Sequence, residues 1–285
     1  MTYALPHLAA LSGRYDVLLC DIWGVIHNGR EAFSGPCAVL TAWRRDVGPV
    51  VLISNSPRPA PEVVVQLDAL GVPRSAYSVV VTSGDATRVL LAALAPGPAY
   101  RIGPDRDDPL YAGLGLDFGP LETARFIACT GPNDDEVETP EHYRPVLTTA
   151  AAMGLEMICA NPDLVVQRGD RLIYCGGALA ALYQTLGGAV SMAGKPHAPI
   201  YQMAISAAGE LMGQGVDRRR VLAIGDGLAT DIRGANAQGL DVLFIAGGIA
   251  GEQLIGPGGA LNVAEAERMM AAEGLIANFL MPDLV

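Results

Sequence analysis

The stretch Val17–Val25 reads VLLCDIWGV, an apolar run that ends in an aspartate and a turn. Such a run is typical of a parallel strand that is buried on both faces. We predict strands of this kind at Asp16–Cys20, Pro49–Ile53, Ser78–Val81, Val221–Ile224 and Asp241–Ile245. Helical stretches separate these strands, at Ala60–Leu70, Pro199–Met212 and Asp231–Gln238. The alternation predicts an α/β fold whose core is a Rossmann-like, doubly wound parallel sheet.

The middle of the chain contains a second series of apolar runs, which alternate with polar and helical stretches. The runs are Ala99–Ile102, Phe126–Cys129 and Glu156–Cys159, with a polar stretch at Gly131–Glu141 and a helical one at Pro145–Met153. We therefore predict an α/β cap domain at residues 84–187, inserted into a core formed by residues 1–83 and 188–285. The tail that follows Gly247 is expected to complete the core sheet.

The composition limits the classes of protein that fit this chain. At about 150 residues per domain, 285 residues form about two domains. Acidic residues outnumber basic ones by 30 to 19, and a net charge of -11 repels a phosphate backbone. We therefore expect no nucleic acid partner. One of the 19 basic residues, Lys195, is a lysine, and the others are arginines.

Cysteines and apolar runs indicate the compartment. The five cysteines are odd in number and form no CxxC pair, which favours buried, reduced thiols over a zinc site. The N-terminal residues have no secretory leader pattern, and no apolar run reaches the roughly 18 residues of a transmembrane helix. We expect a cytoplasmic protein with no membrane partner.

Polar residues follow the predicted core strands. Ligand sites in open α/β sheets lie beyond the carboxyl ends of the strands, so side chains at these ends are expected to converge. The candidates after strands are Asp21, Ser54, Asn55, Asp226 and Asp231, and Lys195 joins them from the turn Gly194-Lys195-Pro196.

In this order, these motifs resemble those of the haloacid dehalogenase superfamily, and in particular its NagD-like group, which has a large α/β cap. The long interval between Ser54 and Lys195 is where that group inserts its cap. Asn161-Pro162-Asp163 and Gly176-Gly177-Ala178-Leu179 match the pattern at the end of the cap. The resemblance covers nearly the whole chain, and it implies a Mg²⁺-dependent phosphohydrolase of a small phosphorylated metabolite. Homo-oligomers form commonly through the cap in this group, so a homo-oligomer is compatible with the resemblance.

The resemblance also implies roles for the acidic residues. Asp21 is the candidate nucleophile, which would form an aspartyl phosphate. Mg²⁺ would be held by Asp21, Asp226 and the backbone carbonyl of Trp23. Asp231 would orient Lys195 or a metal-bound water.

Other residues are candidates for binding the substrate. Ser54, Asn55 and Lys195 would bind the phosphoryl oxygens. Residues from the cap and its boundary would contact the rest of the substrate, namely Asn161, Asp163 and His197, and His27 lies close in sequence to the nucleophile.

Trp23 stands where phosphatases of this superfamily have a second aspartate that transfers the proton. An indole supplies no acid or base near neutral pH. Three hypotheses follow: a Mg²⁺-dependent phosphohydrolase with an unusual proton-transfer step, a non-catalytic phospholigand-binding or regulatory protein, and a metal-independent dehalogenase-type hydrolase. The third is disfavoured because Asp226 and Asp231, without a cation, would repel an anionic substrate.

Overall fold

A computed structural model describes residues 2–168 and 171–285 of the chain. The chain divides into two compact units. The first consists of residues 2–54, 64–81 and 201–285, and the second of residues 55–63 and 82–200.

The strands of the described residues follow in chain order: β1 (Tyr3–Ala4), β2 (Val17–Cys20), β3 (Val50–Ser54), β4 (Val79–Thr82), β5 (Ala99–Ile102), β6 (Phe126–Cys129), β7 (Glu156–Cys159), β8 (Val165–Arg168), β9 (Arg171–Tyr174), β10 (Ala189–Met192), β11 (Val221–Gly225), β12 (Asp241–Ile245) and β13 (Phe279–Met281).

The α-helices are α1 (Ser34–Asp46), α2 (Ala60–Ala69), α3 (Ser83–Leu94), α4 (Arg144–Ala152), α5 (Gly176–Thr185), α6 (Ala198–Met212), α7 (Arg233–Gln238), α8 (Gly251–Leu254) and α9 (Val263–Ala272). Short 3₁₀ turns lie at Leu8–Leu11, Arg74–Ala76, Asp105–Leu110, Leu121–Thr123, Pro140–Tyr143, Arg218–Arg220 and Pro257–Gly259, and a π-helical turn lies at Leu228–Ile232. None of the helices in the described part of the chain is long and apolar enough to cross a membrane.

The sheet of the first unit has the strand order β1-β13-β12-β11-β2-β3-β4. The pairs from β1 to β3 along this order are parallel, and β2 lies between β11 and β3. The chain order changes direction between β2 and β11, since β3 and β4 extend the sheet on one side and β12 and β13 on the other. Ligands of open α/β sheets bind at such a point, so the ends of β2 and β11 are where a site is expected.

The residues of β2, β3 and β11 are buried throughout, as a strand covered on both faces must be. The predicted α/β fold with a parallel sheet is therefore confirmed. Predicted strand bounds agree with the structure to within one residue, and those of β5, β6, β7 and β12 are identical. The tail does complete the sheet of this unit, through β13.

The second unit contains a four-stranded parallel sheet with the order β10-β7-β6-β5. Helices α4 and α5 bury Leu147, Leu179 and Tyr183 in a cluster with Met157 of β7. An antiparallel hairpin, β8–β9, adds a second small sheet. The sequence patterns did not predict this hairpin or β10, because these strands are short and exposed or only half-buried. The five cysteines are buried and free, as predicted.

The predicted helix Asp231–Gln238 begins differently. The π-helical turn Leu228–Ile232 precedes α7, and the N–H groups of Asp231 and Ile232 both donate to the carbonyl of Gly227, at 2.9 and 3.1 Å. Single π-helical turns are frequent at functional sites.

Candidate active site

Asp21 and Asp226 directly follow two neighbouring strands of the first unit. Cys20 at the end of β2 pairs with Ile224 of β11, and the N–H of Asp21 donates to the carbonyl of Ile224 at 2.8 Å. The sheet register therefore brings two residues together that are far apart in the sequence.

Asp231 completes a group of three carboxylates with Asp21 and Asp226. One oxygen from each lies within 4.8 Å of the others. The exposed fractions of the three residues are 7% for Asp21, 7% for Asp226 and 4% for Asp231. Burial of three acidic groups this close together is costly unless positive charge compensates them.

The π-helical turn places Asp231. Its carboxylate accepts the N–H of Gly227 at 3.1 Å and the hydroxyl of Thr230 at 3.4 Å. A Cβ at Gly225 would overlap the Asp231 side chain, so the last residue of β11 must be a glycine for this carboxylate to fit.

Two further glycines confine the carboxylate of Asp226. A Cβ at Gly24 or at Gly248 would overlap its Oδ2, and Gly24 has a φ of +76° that disfavours other residues. The N–H of Ile249 donates to Oδ2 of Asp226 at 2.8 Å. Sequence reasoning missed Gly24, Gly248 and Ile249; for Gly248 and Ile249 the available signal was the glycine pair Gly247-Gly248, which begins two residues after β12.

The three carboxylates fit a divalent cation. Two oxygens bound to the same Mg²⁺ or Ca²⁺ are at most about 4.0–5.2 Å apart, so three oxygens within 4.8 Å of one another are close enough to share one ion. Carboxylate oxygens are the hard donors that these cations prefer, and a cation would compensate the buried charge.

Trp23 lies in the loop after β2 and packs against His27. The two rings meet edge to face, with centroids 4.9 Å apart and an angle of 74° between their planes. A Cβ at Gly29 would overlap the indole ring, so the loop is shaped around this tryptophan.

His27 is 1% exposed, and its burial lowers its pKa to about 4. Nδ1 accepts the N–H of Gly29 at 3.0 Å, so the ring proton is on Nε2. This imidazole is neutral near pH 7 and is a poor donor of a catalytic proton.

Ser54 ends β3, next to β2 in the sheet of the first unit, and is 3% exposed. It therefore lies at the same edge of that sheet as Asp21. The other predicted phosphate-binding residues, Asn55 and Lys195, belong to the second unit.

In the second unit, the Asn55 amide contacts the Lys195 main chain and the Asp163 side chain. Its Oδ1 accepts the N–H of Lys195 at 2.7 Å, and its Nδ2 donates to the carbonyl of Lys195 at 3.1 Å. Nδ2 also donates to Oδ1 of Asp163 at 2.8 Å. Lys195 and Asp163 follow the neighbouring strands β10 and β7, which explains their proximity.

Asn161 and His197 lie near these residues in the sequence, with different environments. Asn161 is buried, and its Oδ1 accepts the N–H of Asp163 at 3.1 Å. His197 is exposed, and its N–H donates to the carbonyl of Gly194 at 2.8 Å. Asn161 thus shapes the turn that carries Asp163, while the His197 side chain is accessible.

A buried group of carboxylates lies beyond the carboxyl ends of a parallel sheet, at the point where the strand order reverses, which is where open α/β proteins bind their ligands. Comparison with known families agrees. A haloacid dehalogenase-like hydrolase family matches residues 18–117, and a second family of haloacid dehalogenase (HAD) hydrolase type matches residues 192–263.

A crystal structure of a haloacid dehalogenase-like hydrolase from Brucella suis 1330 is 45% identical to this chain. It superimposes with a TM-score of 0.89 and covers 99% of this chain and 100% of that one. The chain belongs to the haloacid dehalogenase-like hydrolase family.

Two curated relatives are also similar. D-glycerol 3-phosphate phosphatase of Mycobacterium tuberculosis is 30% identical over 251 residues, which are 85% of this chain and 66% of that protein. The 5′-nucleotidase of Bacillus subtilis (strain 168) is 26% identical over 237 residues, which are 82% and 88% of the two chains. The chain thus spans about two thirds of the mycobacterial protein.

A crystal structure of a glycerol phosphate phosphatase from Mycobacterium tuberculosis in complex with calcium shares the fold. Its TM-score is 0.61 at 24% identity, and the match covers 82% of this chain and 65% of that one.

Proposed function

We propose that this chain is a Mg²⁺-dependent phosphatase that hydrolyses phosphate monoesters of small metabolites through an aspartyl phosphate on Asp21. The observation that carries the proposal is the buried group of Asp21, Asp226 and Asp231, with oxygens within 4.8 Å of one another. Membership of the hydrolase family and the names of the curated relatives support a phosphate ester as the substrate.

Asp21 is proposed as the nucleophile. An oxygen of its carboxylate attacks phosphorus, a bond forms between phosphorus and this oxygen, and the ester oxygen leaves with its bonding electrons. Water then attacks the phosphorus of the aspartyl phosphate. The bond between phosphorus and the Asp21 oxygen breaks, one proton of the water passes to the solvent or to the departing phosphate, and inorganic phosphate leaves the restored Asp21 carboxylate.

Asp21, Asp226 and the backbone carbonyl of Trp23 would hold Mg²⁺, and the position of Asp231 allows it to bind the ion directly or to orient its water. When bound, the ion neutralises charge on the carboxylate and on the phosphoryl oxygens. Ser54 and Lys195 are proposed to bind those oxygens.

The proton-transfer step lacks the usual acid. Trp23 supplies none, and His27 is buried and neutral near pH 7, so neither protonates the leaving oxygen. We therefore expect esters whose leaving group is a stable anion, such as aryl phosphates, to react faster than alkyl phosphates.

The predicted cap at residues 84–187 is proposed to select the substrate, with Asn161, Asp163 and His197 as candidates for contact with the leaving group. The names of the two curated relatives place glycerol 3-phosphate and nucleoside 5′-monophosphates in the panel to be tested. Sugar phosphates extend it to other small metabolites, and p-nitrophenyl phosphate supplies an aryl ester.

Phosphate release from this panel tests the proposal, with and without Mg²⁺. We expect release that depends on Mg²⁺ and disappears in Asp21→Asn. No release from any ester at any Mg²⁺ concentration would refute the phosphatase.

The second candidate function is a phospholigand-binding protein without turnover, which the Trp23 side chain favours. In that case inorganic phosphate would bind in the presence of Mg²⁺ although no ester is hydrolysed. A metal-independent dehalogenase-type hydrolase fits less well, because three buried carboxylates oppose an anionic substrate in the absence of a cation.

A further inference from the structure

The side-chain amide of Asn55 holds the main chain of Lys195 at two points, although the residues are 140 positions apart in the sequence. Oδ1 accepts the Lys195 N–H at 2.7 Å, and Nδ2 donates to the Lys195 carbonyl at 3.1 Å. A side chain that pairs with both backbone groups of one residue fixes the position of that residue. Asn55 is thus bound to the backbone of Lys195.

Asp163 determines the orientation of the Asn55 amide, that is, which of Oδ1 and Nδ2 faces Asp163. Its carboxylate accepts from Nδ2 at 2.8 Å, while the N–H of Lys195 can only donate. A flipped amide would place Oδ1 against Asp163 and against the Lys195 carbonyl. It would also place Nδ2 against the N–H of Lys195, so three unfavourable contacts exclude the flipped orientation.

The turn that carries Lys195 has little freedom. Asn55 and Lys195 are 3% and 2% exposed. A Cβ at Gly194 would overlap the buried Ser83 hydroxyl and lie 2.7 Å from Oδ1 of Asn55. Hydrogen bonds from His197 and Ile200 to the carbonyls of Gly194 and Ala193 close the turn before α6.

Both hydrogens of the Asn55 amide are directed at protein acceptors, one at Asp163 and one at the Lys195 carbonyl. A direct phosphate contact by this side chain would require breaking one of these bonds. The geometry favours an indirect role through Lys195.

We propose that Asn55 is a positioning residue, which Asp163 orients and which places the backbone of Lys195 so that its ammonium group binds the phosphoryl oxygens. This inference rests on the proposed function, in which Lys195 is the phosphate-binding cation. The ammonium group is attached to the backbone through a four-carbon stem, so a displaced backbone shifts the range of positions that it can reach. Misplacement by about 1 Å can reduce catalysis about 100-fold.

Because Lys195 is the one lysine of the sequence, its backbone amide can be observed by NMR through a lysine label. Protein labelled with ¹⁵N-lysine gives one backbone amide resonance, that of Lys195. In the wild type this amide should exchange slowly with solvent, because it donates to a buried acceptor. In Asn55→Ala we expect the resonance to move and its exchange to become at least about tenfold faster.

Calorimetry of inorganic phosphate binding in the presence of Mg²⁺ tests whether Asn55 acts on phosphate through Lys195. We expect Asn55→Ala to weaken binding about tenfold. In a Lys195→Met background the same substitution should have no further effect, because there is no ammonium group left to position. An equal weakening in both backgrounds would overturn the proposal.

Variants at Asp163 test the orientation of the amide and serve as a second route if Asn55→Ala folds poorly. Asp163→Asn keeps an acceptor oxygen for Nδ2 and should therefore retain the wild-type Lys195 resonance. Asp163→Ala should broaden or split the Lys195 resonance and weaken phosphate binding. Equal behaviour of the two variants would contradict the role given to Asp163.

The matched control is Asn133→Ala. Asn133 is another amide of the second unit, and its Oδ1 accepts the N–H of Gly103 at 2.9 Å. Loss of this contact should leave the Lys195 resonance and the phosphate affinity unchanged. A response as large as that of Asn55→Ala would show a general structural effect and refute the positioning role.

The two proposals fail in different ways. If the resonance and phosphate measurements behave as expected but no ester is hydrolysed, the phosphatase is refuted and the positioning role stands. If esters are hydrolysed but Asn55→Ala leaves the Lys195 amide and phosphate binding unchanged, the positioning role is refuted. A wild type that binds no inorganic phosphate refutes both.

Discussion

The two larger sheets of the described residues end in different sets of polar groups. Beyond β2 and β11, the first unit collects three carboxylates within 4.8 Å. Beyond β7 and β10, the second unit places a carboxylate, an amide and the Lys195 backbone in mutual hydrogen bonds.

The loop 131–139 of the second unit contains an acidic residue, Asp135, whose partners are arginines. Asp135 accepts hydrogen bonds from Arg106 and Arg168, and its side chain is 8% exposed. Asp135 thus has arginine partners from its own unit, whereas Asp21, Asp226 and Asp231 together offer a set of carboxylate oxygens that suits a divalent cation. A cation that binds to these three carboxylates in the folded state would stabilise the protein.

The largest effect is expected from Asp21→Asn, which removes the proposed nucleophile. We expect phosphate release to fall by at least about 10⁴-fold, since loss of a nucleophile removes the covalent route altogether. Asp68→Asn is the control, because Asp68 is an exposed partner of Arg74. Retention of more than a few per cent of the activity in Asp21→Asn would exclude Asp21 as nucleophile.

Trp23→Asp should raise kcat by up to about 10²–10⁴-fold, the usual gain from a positioned acid or base. The gain should be larger for alkyl than for aryl phosphates, because only the former need a proton on the leaving oxygen. Trp23→Phe is the control without an acid, and it should show no gain. Equal rates for the Asp and Phe variants would mean that the loop does not place a group at residue 23 to transfer the proton.

Mg²⁺ should stabilise the wild type by about 2.7 kcal/mol at a concentration of 100 Kd, measured by thermal unfolding with and without chelator. Asp226→Asn should remove most of this gain and raise the stability of the metal-free protein, since it relieves repulsion between buried carboxylates. If Mg²⁺ stabilised both proteins equally, the three carboxylates of Asp21, Asp226 and Asp231 would not be its binding site.

Gly248→Ala should weaken Mg²⁺ binding about 10–100-fold, because the added methyl group displaces the Asp226 carboxylate. Gly35→Ala is the matched control: a Cβ at Gly35 meets nothing within 4 Å. Calorimetric titration of the two variants measures the difference. Wild-type affinity in Gly248→Ala would show that this glycine does not shape the site.

Asp135→Asn should lower the free energy of unfolding by about 1–2 kcal/mol at pH 7, a discounted value because Arg106 and Arg168 are partly exposed. Burial opposes ionisation of Asp135, but hydrogen bonds and charges from Arg168 and Arg106 outweigh it and lower the pKa. Because this pKa is depressed in the folded state, the stabilisation is present above the ordinary aspartate value and is lost as the pH falls through the folded value.

Urea unfolding of the wild type and Asp135→Asn between pH 7 and pH 3 measures this effect. The difference between the two proteins should shrink below about pH 4. A difference that stayed constant over this range would show that the ionised carboxylate is not responsible.

Much of the fold could be predicted from short apolar runs such as Val221–Ile224. Every side chain of such a run avoids water, and a strand in a sheet covered on both faces buries all of them. Strands such as β8 and β10 were missed because half-exposed segments of four residues have no distinct apolar pattern. The same limit applies to the π-helical turn, since the bonds of two N–H groups to Gly227 depend on local geometry and not on periodicity.

The amino-acid sequence by itself determined the chemical types at the strand ends: the order of Asp21, Ser54, Lys195 and Asp226, and the tryptophan where an acid is usual. Only the tertiary structure decided that Gly24 and Gly248 enclose Asp226, that burial keeps His27 neutral near pH 7, and that Asn55 binds the Lys195 backbone. The physical reason is that residue type is a local property, whereas burial, hydrogen-bond partners and excluded volume arise from segments far apart in the chain, brought together by sheet register and turns.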